Sequence, residues 1–73
     1  MRHILKILDY TGHTELKWNP HDVDDVDAVR ERFESLMRRS FVAFDLSTQP
    51  GEVIREFRPE ATEILIAPKF AGG

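Results

Sequence analysis

Val26, Val29, Phe33, Leu36 and Met37 recur at spacings of three, four, three and one residues. That is the apolar stripe of a helix which buries one face and wets the other. Such a helix is not stable alone and needs a second layer to cover the stripe. Asn19-Pro20-His21-Asp22 opens it: Asn19 or Asp22 can cap, and Pro20 suits a first turn, where its missing N–H is not needed. Asp22, Asp24, Asp25 and Asp27 crowd the start, and Arg38 and Arg39 close the end. Both placements suit the helix dipole. Together these signals predict one helix over roughly 22–39.

The covering layer must come from strands. Residues 2–8 are rich in isoleucine and leucine with Lys6 set among them, and Asp9-Tyr10-Thr11-Gly12-His13 supplies a turn. Thr14-Glu15-Leu16-Lys17-Trp18 alternates, with Leu16 and Trp18 on one side. These two runs predict a hairpin. After the helix, Phe41 to Leu46 reads as a third strand, Ser47 to Gly51 as a turn, and Glu52 to Phe57 as a short edge strand. Arg58-Pro59-Glu60-Ala61 turns the chain into a last strand over 62–67, stopped by Pro68. The order implies an α+β domain over residues 1–73, with one helix on one face of a mixed four- to five-stranded sheet.

Composition narrows the function classes. The chain has no Cys among 73 residues, so disulfides, thiolate zinc sites and a thiol relay on this chain are excluded. The 41% of apolar residues must build the core unaided. A formal charge of −3 with both signs interspersed argues against nucleic acid as partner. No apolar run approaches the roughly 20 residues of a membrane span, and charge interrupts the first residues too often for a signal peptide. The expectation is a cytoplasmic, monomeric domain with no cofactor.

The final stretch reads Glu63-Ile64-Leu65-Ile66-Ala67-Pro68-Lys69-Phe70-Ala71-Gly72-Gly73. An acidic residue, an apolar strand, a proline, an apolar residue, a small residue and Gly-Gly follow one another without a gap. This resembles the ubiquitin-like β-grasp family, and within it the sulfur-carrier branch typified by the small subunit of molybdopterin synthase. Lys69 stands where many sulfur carriers have a second proline, and Phe70 replaces a smaller apolar residue. The resemblance implies that the first and last strands lie side by side at the sheet centre. It also implies that the Gly73 carboxylate is adenylated by a ubiquitin-activating-type enzyme, for sulfur transfer or conjugation, with a JAB-type peptidase as a further partner. Gly72 and Gly73 would then be the activation site on a tail over 68–73, with Pro68 setting where the tail leaves the sheet.

A second candidate is the sheet face turned away from the helix. If Lys6 points to solvent, Ile4 and Leu8 share its side. Taking Asp45 and Glu63 as solvent-facing puts Phe41, Ala43, Leu65 and Ala67 on that side as well, with Phe70 beyond them. The first strand is ambiguous, because Ile4-Leu5 and Ile7-Leu8 are both apolar pairs. A contiguous apolar face of this kind marks a partner site. It supports the rival reading, a non-covalent interaction module in which Gly-Gly is incidental.

Other constellations carry less. His3, His13 and His21 fall on different elements, and Asp22, Asp24 and Asp25 are accounted for by capping, so no metal is expected. Asp9, Thr11 and His13 share one short turn, from which no catalytic triad geometry follows. The domain is expected to act as a substrate or binding partner, with no catalytic residues of its own.

Overall fold

The computed structural model describes residues 2–9 and 12–69. The elements are β1 (His3–Asp9), β2 (Gly12–Trp18), α1 (Val23–Met37), β3 (Phe41–Asp45), β4 (Glu52–Ile54) and β5 (Glu63–Pro68). The sheet runs β2-β1-β5-β3-β4, with one helix against one face. β1 and β5 are adjacent and parallel, with Leu5 opposite Ile64 and Ile7 opposite Ile66. All other pairings are antiparallel. This is a β-grasp-like α+β fold, as expected.

The helix begins one residue later than the sequence predicts, and the cap is Asp22. Its Oδ1 accepts from the N–H groups of Asp24 at 3.0 Å and Asp25 at 3.2 Å. Asp25 in turn accepts from the N–H of Asn19 at 3.1 Å, and the Asn19 side chain accepts from His21 N–H at 2.9 Å. Pro20 therefore lies in the turn before the helix and not in its first turn. At the other end Arg38 is the cap, and Ser40 takes φ of 65°. That left-handed step ends the helix, so Arg38 and Arg39 fall just past its last turn.

The stripe behaves as expected. Val26, Val29, Phe33 and Leu36 are buried against Leu5, Ile7, Trp18, Ile64 and Ile66, with Leu16 and Met37 packed at the margin. The ambiguity of the first strand is resolved by the two neighbours of β1. Leu5 and Ile7 face the helix, and Ile4, Lys6 and Leu8 face away.

The fourth strand is shorter than predicted, ending at Ile54 instead of running to Phe57. Phe57 leaves the sheet edge because its ring completes an aromatic cluster. It stands 5.1 Å from Trp18 and 5.7 Å from Phe33. The loop around it is tied down at Pro59, whose carbonyl accepts from Trp18 Nε1 at 3.0 Å and from His3 Nδ1 at 3.1 Å. Burying the aromatic ring there outweighs the few ladder bonds of a longer edge strand.

Candidate functional site

The end of β5 is tied to β3 and to the turn after α1. Pro68 is half-buried opposite Phe41, and the Lys69 N–H donates to the Ser40 carbonyl at 3.1 Å. Phe70, Gly72 and Gly73 lie outside the described residues. Whatever follows Lys69 therefore starts beside the left-handed turn that ends α1.

The face away from the helix carries Ile4 and Leu8 from β1 and Leu65 and Ala67 from β5, as predicted. Leu8 is 40% exposed. Phe41 and Ala43 do not belong there. Ala43 is fully buried, opposite Ile66 and Ile54, and Phe41 packs against the same core. The expectation fails because Asp45 does not face solvent: it is 3% exposed. Its Oδ1 accepts from the Ser47 N–H at 2.9 Å and from the Ser47 hydroxyl, while Oδ2 accepts from Arg58 Nη1 at 3.2 Å. Burial alone would push the Asp45 carboxyl up, but these hydrogen bonds together hold it below the ordinary aspartate range. A satisfied carboxylate can occupy the inner face at the mouth of a strand, and that inverts the phase of β3.

Val42 and Phe44 take the outer positions instead. Val42 pairs with Ala67, Phe44 with Leu65, and Val53 of β4 with Phe44. Directly opposite residues share a face, so these pairs extend the apolar surface across β5, β3 and β4. Val53 is 58% exposed. The sequence signal for this arrangement was Ser47, two residues after Asp45, the spacing at which an aspartate closes a turn on its own backbone.

The other half of the face is charged. Lys6 pairs with Glu63 at 3.2 Å, and β2 sets His13, Glu15 and Lys17 opposite Leu8, Lys6 and Ile4. The face is thus an apolar field on β5-β3-β4 bordered by a mixed-charge strip on β1-β2. That is the composition of a specific protein contact: an apolar centre with a polar rim that fixes orientation.

Arg58 was not anticipated. It bridges Asp45 and Glu52, reaching Glu52 with both guanidinium nitrogens at 3.1 Å. The Arg58 hydrogen bonds hold the Glu52 carboxyl below its ordinary range. This network closes the loop between β3 and β4 and is structural. Among the described residues, no three His, Asp or Glu side chains gather as a metal site would require. His13 lies 3.8 Å from Glu15, and Thr11 of the turn set lies outside the described residues. No helix among the described residues is long and apolar enough to cross a membrane. No protein-family model matches the chain, and no curated protein or solved structure matches it.

Proposed function

We propose that this is a ubiquitin-like carrier or modifier, working as a cytoplasmic monomer, whose C-terminal glycine is activated by a partner enzyme. The observation that supports this most is the anchoring of β5. A central strand, parallel to β1 and hydrogen-bonded through the Lys69 N–H to the Ser40 carbonyl, brings the chain to the sheet's end at Lys69, a few residues before Gly72 and Gly73 in the sequence. In this reading the Gly73 carboxylate attacks the α-phosphate of ATP on an adenylating enzyme. Pyrophosphate leaves and an acyl-adenylate forms. Sulfide equivalents then yield a thiocarboxylate, or a thiol and then an amine yield an isopeptide, with AMP released. Gly72 and Gly73 suit a narrow channel because neither carries a side chain. A JAB-type peptidase would reverse the conjugate.

The apolar field on β5-β3-β4 favours a second reading, a non-covalent interaction module in which the tail is incidental. Val53 is its most exposed large apolar side chain, and Leu8 on β1 adds apolar surface at its charged border. One experiment separates the two. The chain is incubated with ATP, the adenylating enzymes of the same organism, a sulfide donor and candidate target proteins, and its intact mass is measured. Gain of the sulfur-for-oxygen mass difference identifies a carrier, and attachment to a target lysine identifies a modifier. Gly72→Val should block the reaction with the fold intact. Failure with every candidate enzyme leaves the interaction module as the better reading.

A further inference from the structure

We propose that the hollow between the end of α1 and the ends of β1, β3 and β5 is a docking groove for an acidic, apolar-containing segment of a partner protein. It measures about 420 Å³, with a floor of Ile7, Leu36, Phe41 and Pro68. Arg32, Arg39 and Lys69 stand on its rim. A second hollow of about 360 Å³ shares Ser40, Phe41 and Lys69 with the first and adds Arg55. The second is also lined by Val42 and Val53 and so opens toward the outer face; the first alone lies on the helix side, and it is the groove meant here.

Charge is what selects the occupant. The chain carries a net −3, yet Arg32, Arg39 and Lys69 line this hollow, and Asp9 is the one acidic residue among its described lining. The described ion pairs use Lys6, His13, Arg30 and Arg58. None of them engages Arg32, Arg39, Arg55 or Lys69. Compensation of the helix dipole accounts for Arg38 and Arg39 at the helix end, but not for Lys69 after β5 or Arg55 after β4. Cations that no ion pair among the described residues engages, set around an apolar floor, fit a segment that places leucine-like side chains inward and carboxylates outward.

Nucleic acid fits less well. The net negative charge repels a polyanion at range. This inference does not depend on activation of the tail, and a partner seated here would lie beside the point where the chain leaves β5.

The test is a nuclear magnetic resonance titration of the whole chain with a short peptide alternating glutamate and leucine. Saturable shifts at the amides of Arg39, Ser40, Phe41 and Lys69, weakening as salt is raised, are expected. Arg39→Glu with Lys69→Glu should weaken binding by about tenfold or more, and Leu8→Asp should leave it unchanged. Both reversed side chains are exposed, and the salt dependence of the unaltered chain gives a second measure should the double variant not fold. The proposal is overturned by no saturable binding, by shifts confined to Leu8, Val53 and their neighbours, or by equal affinity for a lysine–leucine peptide. Equal or tighter binding of a single-stranded oligonucleotide also overturns it, in favour of nucleic acid.

Discussion

Ala43→Asp distinguishes the observed phase of β3 from the one its sequence suggests. If Ala43 faced solvent, a carboxylate there would be harmless. In the structure Ala43 is fully buried between Ile66 and Ile54. The new carboxylate would find no cation, since Arg58 is already committed to Asp45 and Glu52. An unpaired buried charge costs several kcal/mol even after relaxation, and forcing extra atoms into a packed core adds about 1–3 kcal/mol. A chain of 73 residues has roughly 4–11 kcal/mol of total stability. The variant should therefore be largely unfolded in buffer at room temperature, seen as loss of the far-ultraviolet circular dichroism of the native chain. Leu8→Asp, on the open face, should cost no more than about 1 kcal/mol, because Leu8 is only partly buried. A urea midpoint for Ala43→Asp within about 1 kcal/mol of the parent would refute the phase and the apolar field built on it.

Phe33→Ala should cost about 3–5 kcal/mol as a truncation of a fully buried ring. For a domain of this size that is a fall of roughly 20–30 °C in Tm, and a fall of only a few degrees would mean α1 is not the main cover of the sheet. Asp45 titrates below the ordinary aspartate value near 3.9, so its stabilising share is complete above about pH 4 and is lost as pH falls through its folded value. Asp45→Asn should flatten the acid limb of the stability profile, leaving the part due to Glu52, whose carboxyl shifts in the same direction; parallel limbs in urea titrations would contradict this. Asp22→Ala should cost about 1 kcal/mol by removing the helix cap, read from the urea midpoint, and no loss would transfer the capping role to Asn19.

The parts of the fold legible in the sequence were those where one physical signal dominates. The stripe from Val26 to Met37 could serve no other element, and Leu16 and Trp18 alternate with charges that leave one orientation. The parallel pairing of the first and last strands came from a resemblance and not from periodicity. Phe41-Val42-Ala43-Phe44 is apolar throughout, so its phase rested on Asp45 alone. Charge marks solvent only when nothing nearby satisfies it, and Arg58, thirteen residues on, satisfies Asp45. Phe57 was misplaced for a similar reason. Its partners Trp18 and Phe33 are distant in sequence, and no local pattern announces that a ring will leave a strand to reach them. Of the site residues, Ile4, Leu8, Leu65 and Ala67 were placed correctly because Lys6 and Glu63 pair across the open face.

The position of β5 has a consequence for how the chain comes to be folded. Its strand order leaves β2-β1 on one side and β3-β4 on the other, and only residues 63–68 touch both. Before those residues are available the chain can hold two separate hairpins and an uncovered helix, with no continuous sheet to receive them. Synthesis proceeds from the N-terminus, so the nascent chain cannot complete the sheet until residues 63–68 have been made. Closure then joins Leu5 to Ile64 across most of the sequence, the kind of distant contact that slows folding. A ribosome stalled short of residue 63 would expose both hairpin edges and the apolar stripe together.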